Sequence, residues 1–151
     1  MKTFSTKASD IKREWHLIDA SGQVLGGVAT EAAKLLMGKH KAIFCRNLDV
    51  GDCVVVINAA KIKITGNKLK GKMYYRHSNY PGGFRQVSLD ELMAQDPRKA
   101  IAQAVKGMLP HNRLEARMMT RLKIFAGDEH PHGGQIVTAA TAAKPQEKQE
   151  V

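Results

Sequence analysis

The chain has 151 residues and carries 24 Lys and Arg against 14 Asp and Glu, a formal charge of +10. That length suits one compact domain with its own core, and needs no disulfide framework or structural metal. A hydrophobic content of 43 % excludes a disordered basic tail, and no stretch approaches the roughly 18–20 unbroken apolar residues of a membrane span. Met1–Glu14 lacks the apolar centre of a secretory signal, and the two cysteines, Cys45 and Cys53, suit a reducing compartment. A basic cytoplasmic domain with no membrane partner is the expectation.

Taken in chain order, Glu14–Ala20 reads as a first strand, with Trp15, Leu17 and Asp19 on one face and His16 and Ile18 on the other. Leu25–Met37 has Leu25, Val28, Ala29, Ala32, Leu35 and Leu36 at helical spacing. Gly38 is a natural stop, and Lys34, Lys39 and Lys41 surround the end that the helix dipole makes negative. Asp52–Asn58 is a continuous β-branched run, the signature of a strand covered on both faces in a parallel sheet. Lys61–Thr65 alternates base and isoleucine and reads as a strand or strand end with one cationic face. From Gly66 to Gln86 no period holds, so a long loop is expected.

Beyond it, Ser88 and Glu91 form a capping-box pattern for a short helix to Met93. Asp96-Pro97 opens another helix, with Ile101, Ala104 and Val105 inward. Asn112 with Glu115 repeats the capping logic for a helix through Arg121, and Leu122–Ala126 reads as a last strand. Residues 1–138 then form one domain, and Ala139–Val151 a polar, disordered tail. Alternating strands and helices place the chain in the α/β class with a mostly parallel sheet.

The charge is concentrated. Residues 61–85 hold Lys61, Lys63, Lys68, Lys70, Lys72, Arg76 and Arg85 and no acid, and residues 113–123 hold Arg113, Arg117, Arg121 and Lys123 against Glu115 alone. Two such segments are what a polyanion footprint requires. In the first, cations interleave with Tyr74, Tyr75, Tyr80 and Phe84, which joins phosphate binding to ring stacking on bases. In the second, Arg113, Arg117 and Arg121 fall at i, i+4 and i+8 and would stack along one helical rail, beside the apolar stripe Leu114, Met118 and Leu122. Arginines so placed repel one another unless an anion lies between them.

Other chemistries are weaker. Gly66–Lys72 satisfies GxxxxGK, but Met73 stands where a magnesium-ligating Ser or Thr belongs and no helix follows, so a nucleotide-binding enzyme is only the alternative. An RNA-binding regulator is a further alternative. Cys45, Cys53, His130 and His132 lack finger-like zinc spacing, so no metal is expected; the two histidines read as donors to phosphate or backbone in a rigid turn. Ser78 beside His77 is no catalytic pair, since neighbouring side chains normally point apart.

Several ordered motifs are familiar together: Gly38-Lys-His-Lys41, Asp49-Val-Gly-Asp52, Val54–Ala59, Thr65-Gly66, Tyr74-Tyr-Arg-His-Ser78, Pro81-Gly-Gly83, Ala104–Pro110 with Lys106, and Ala126–His132. Over about residues 1–135 the chain resembles the bacterial large-subunit ribosomal protein L-thirteen (universal L-thirteen) family. The resemblance implies a three-layer α/β/α fold and a non-catalytic role without cofactor or small-molecule substrate. Binding of 23S rRNA during early assembly of the large subunit is the implied function, among neighbouring ribosomal proteins. Gly27, Arg46–Leu48, Glu115-Ala116 and the residues after Gln135 depart from the family pattern; the central motifs are intact.

Overall fold

The computed structural model describes residues 5–136. Three parallel strands, β1 (Trp15–Asp19), β2 (Cys53–Ile57) and β5 (Leu122–Ile124), lie in the order β1-β2-β5. Leu17 and Lys123 flank Val55 across the register. The central position of β2 explains its sequence: Val54, Val55 and Val56 are all fully buried, so neither face tolerates a polar residue.

Helix α1 (Leu25–Met37) buries Leu25, Val28, Ala29, Ala32 and Leu36. It ends where Gly38 adopts φ 75°, the left-handed cap that lets its N–H reach Leu35 O. One core cluster joins Ile18, Val54 and Val56 of the sheet to Val28, Ala32 and Leu36 of α1, to Ile101 and Val105 of α4 (Pro97–Lys106), and to Met118 of α5 (Arg113–Thr120). On the alternate face, where Val55 points, the chain after β5 folds back, with His132 stacked on Trp15 at 5.0 Å between ring centroids and Phe125 tilted against His132 and His130. The α/β class with a largely parallel sheet is as expected.

Three expectations change. The 66–86 segment is not a loop: a single helical turn, α2 (Lys68–Gly71), leads into an antiparallel hairpin of β3 (Met73–His77) and β4 (Phe84–Ser88). Its sequence shows no two-residue period because most of it lies open to solvent, and no buried face imposes one. Lys61–Thr65 is not a strand. Ala59–Lys61 forms a 3-10 turn, and Lys63 then makes one isolated bridge to Val24, because the segment at Val24 turns at once into α1. The alternation is nonetheless real, with Ile62 buried and Lys61 and Lys63 exposed.

The last strand stops at Ile124 rather than Ala126. Its partner β2 stops at Ile57, before Asn58, whose φ is 57°, and residues 125–127 wrap around that turn, their carbonyls accepting the Asn58, Ala59 and Ala60 N–H groups. The helix starts are close to their sequence signals. Ser88 and Glu91 form a reciprocal box on α3 (Leu89–Gln95), and Asp96 accepts the Arg98 N–H ahead of Pro97 in α4. Asn112 caps α5 by accepting the Leu114 N–H, but the Glu115 carboxylate turns to His111 and Lys106 instead of back to the cap. The polar tail expected at 139–151 lies outside the described residues.

Candidate nucleic-acid interface

The hairpin register divides its side chains between two faces. Tyr75, His77, Phe84 and Gln86 alternate onto one face, and Tyr74, Arg76, Arg85 and Val87 onto the other. On the first, the Tyr75 and Phe84 rings stack at 5.8 Å with an interplanar angle of 21°, and both are more than half exposed, at 66 % and 58 %. On the second, Arg76 stands directly opposite Arg85, both exposed. Like charges paired across strands destabilise a hairpin unless an anion lies between them. Tyr74 is half-buried, with its hydroxyl enclosed and unpartnered; burial pushes its pKa up, and Lys72 sits 5.4 Å from its ring centroid. That side of the hairpin is anchored to the body, where Leu89 N–H donates to Lys72 O at 2.9 Å.

The tip is shaped by Asn79 and Gly82, both at positive φ, which leaves Tyr80 three-quarters exposed. His77 accepts the Asn79 N–H through Nδ1 at 2.9 Å, so it serves the turn and not Ser78. Lys68, Lys70 and Lys72 are exposed on and beside α2. The GxxxxGK spacing makes no phosphate loop: Gly66–Lys72 coils into α2 itself and passes straight into β3, so no helix N-terminus follows to receive phosphates.

The arginine rail is only two residues long. Arg113 and Arg117 are exposed on α5, but Arg121, at the helix C-cap, turns inward. Its guanidinium grips both carboxylate oxygens of Asp49 and donates to Leu36 O at 3.2 Å and Asp52 O at 3.3 Å, with the pair's side chains only 11 % and 9 % exposed. Gly51 lies beneath this clamp, and a Cβ there would collide with the Leu36 carbonyl. Arg121 therefore ties β5 to the segment before β2 and offers nothing outward.

Lys41 is engaged internally as well. It contacts Asp52 Oδ1 and Lys12 O. Asp52 is fully buried, and its remaining donors are Glu14 N–H at 2.9 Å, His16 Nε2 at 3.1 Å and His40 Nε2 at 2.8 Å. Burial works to raise the Asp52 carboxyl pKa, but the hydrogen bonds from His16, Lys41 and Glu14 outweigh it and hold the group well below the usual carboxylate range. Apart from Lys41, no member of this cluster is among the candidate residues that the sequence offers. The legible signal was a carboxylate at the mouth of an all-apolar strand, which can be buried there only with partners.

The other candidates fall in different places. Lys39, Lys61, Lys63 and Lys123 are exposed, and Lys106 reaches Glu115 at 4.0 Å. His130 and His132 are half-buried in the aromatic layer over the sheet, and His132 Nδ1 pairs with Gln135 at 2.9 Å, so both serve packing first. Burial raises the Cys53 pKa, as befits a small packing residue. Cys45, Cys53, His130 and His132 do not converge on a common point among the described residues. The hairpin packs on α2 and α3, whereas α5 packs on α1 and β5. The two exposed cationic segments thus ride on different parts of the same body.

A family model described as "Ribosomal protein L13" matches residues 13–131. Among similar curated proteins, the "Large ribosomal subunit protein uL13" of Dehalococcoides mccartyi is 62 % identical over 135 residues, 89 % of this chain and 94 % of the relative. Proteins of the same name from Salinispora arenicola and Moorella thermoacetica are 55 % and 52 % identical, each over 89 % of this chain and over 92 % and 94 % of the relative. The chain therefore belongs to the ribosomal protein L13 family and is a non-enzymatic, structural component of the large subunit of the cytoplasmic ribosome.

Proposed function

We propose that the chain binds 23S rRNA and supports early assembly of the large subunit, with the β3–β4 hairpin and the outer face of α5 as its main RNA-binding elements. The observation that carries this reading is the Arg76–Arg85 pair, opposed across the hairpin within a stretch of seven bases and no acid. A phosphate between the guanidiniums removes their mutual repulsion and accepts bidentate hydrogen bonds. The exposed Tyr75–Phe84 stack on the other face offers a platform to unpaired bases, which every base can use through its π-face. Lys68, Lys70 and Lys72 add counterion release beside it, and Arg113 and Arg117 grip a second backbone segment. Neighbouring large-subunit proteins are the remaining partners of a component placed this way.

The test is a salt titration of binding to large-subunit rRNA with unrelated structured RNA as competitor. Replacing Arg76 and Arg85 by Gln, or Arg113 and Arg117 by Gln, should lower the log–log salt slope by about 0.7–0.9 for each phosphate that is no longer neutralised. Unchanged binding after all four replacements removes these surfaces from the interface.

A further inference from the structure

The Asp52 cluster has a geometry that the RNA-binding reading does not use. Asp52 is fixed in a particular way: Oδ1 is taken by the Glu14 N–H and the Lys41 ammonium, which leaves Oδ2 facing two imidazoles. His16 comes from β1 and His40 from the segment after α1, and both aim Nε2 at that one oxygen, at 3.1 and 2.8 Å. The three donor atoms all lie within 4.8 Å of one another. Ligand bonds of about 2.0–2.1 Å in tetrahedral geometry separate neighbouring donors by about 3.3 Å, so an ion would need only small side-chain movements. The imidazoles remain 30 % and 27 % exposed while the carboxylate is enclosed. The imidazole side of the site can therefore be reached from solvent.

We propose that His16 Nε2, His40 Nε2 and Asp52 Oδ2 form a binding site for a zinc-like divalent transition-metal ion. Two imidazoles and one carboxylate are a donor set that zinc favours, while magnesium and calcium prefer all-oxygen shells. On binding, each imidazole carries its proton on Nδ1 and turns the Nε2 lone pair to the metal, so the two hydrogen bonds to Asp52 are exchanged for metal–ligand bonds. The Lys41 ammonium holds the carboxylate from behind and lowers the affinity by charge repulsion, which makes the site a reversible one. An ion there staples β1, the chain after α1 and the entrance to β2. Binding only the folded chain, it stabilises that state.

The experiment uses the full chain, stripped with a chelator and exchanged into chelator-free buffer, and titrated with zinc chloride. Histidine ring NMR on the unsubstituted protein reads the site, calorimetry gives the stoichiometry, and thermal melting gives the linkage. The expected result is one equivalent of zinc that moves the His16 and His40 ring signals together and raises Tm. His16→Gln and His40→Gln keep a donor for Asp52 but supply no imidazole, and each should weaken binding at least tenfold. Should either variant fail to fold, the ring signals of the unsubstituted protein decide the matter alone. The proposal is overturned if zinc changes neither ring signals nor Tm. It is equally overturned if zinc perturbs the cysteines, His130 or His132 while His16 and His40 stay unmoved.

Discussion

Arg117 and Arg121 stand one helical turn apart and are engaged in opposite ways. Arg117 is exposed, whereas Arg121 is clamped to Asp49 in a nearly buried, two-armed pair. Removing Arg121 leaves Asp49 with only the half-exposed Arg13 at 3.9 Å, and losing one partner of a nearly buried pair typically costs about 3–5 kcal/mol. Arg121→Ala should therefore lose about that much stability in urea unfolding. Arg117→Ala should stay within about 0.5 kcal/mol of the parent and show its effect in the RNA salt slope instead. If the two variants unfold alike, the inward assignment of Arg121 is wrong. Gly51 makes a related case. A methyl group there meets the Leu36 carbonyl beneath the Arg121 clamp, so Gly51→Ala should cost about 1–3 kcal/mol from overpacking, read from the same unfolding curves.

At the level of elements, α1 and β2 were legible because each buries a face whose period is written in the residues. Leu25, Val28, Ala32 and Leu36 recur at helical spacing, and Val54–Val56 leaves no polar side. Capping signals at Ser88 and Asp96 were equally local and equally readable, and Ser88→Ala should cost about 1 kcal/mol in thermal or urea unfolding. The hairpin was not legible, since its register depends on solvent-exposed strands in which aromatic and basic residues follow no burial rule. Its two faces become visible only once Arg76 is placed opposite Arg85. That pairing gives a prediction of opposite signs. Arg85→Gln should stabilise the free protein by a few tenths of a kcal/mol, within the roughly 0.2–1 kcal/mol range of cross-strand pairs, while weakening rRNA binding. Destabilisation together with unchanged binding would make Arg85 a structural residue and nothing more.

For the whole molecule, the +10 charge divides between cations held by the fold and cations turned to solvent. Lys41 and Arg121 close the body around Asp52 and Asp49, while residues 61–85 keep seven bases with no acid among them. Exposed like charges are screened by salt far more than buried pairs. Raising salt from a low starting concentration should therefore raise Tm of the free protein, as self-repulsion on the hairpin fades, while rRNA affinity falls. Melting curves and binding isotherms over one salt series check both arms. A Tm that falls with salt would mean that the internal pairs dominate the electrostatics.

By itself the sequence determined the α/β class, the helix starts and the location of the excess charge, because propensity, burial period and composition are local properties of the chain. The ordered motifs also led to the L13 family without any coordinates. The tertiary structure alone decided which cations are available. Arg121 meets Asp49 across 72 positions and His16 meets Asp52 across 36, and no spacing rule reaches that far. A buried charge must find its counter-charge wherever the fold brings one, so whether a basic residue faces a phosphate or an internal carboxylate is a property of packing.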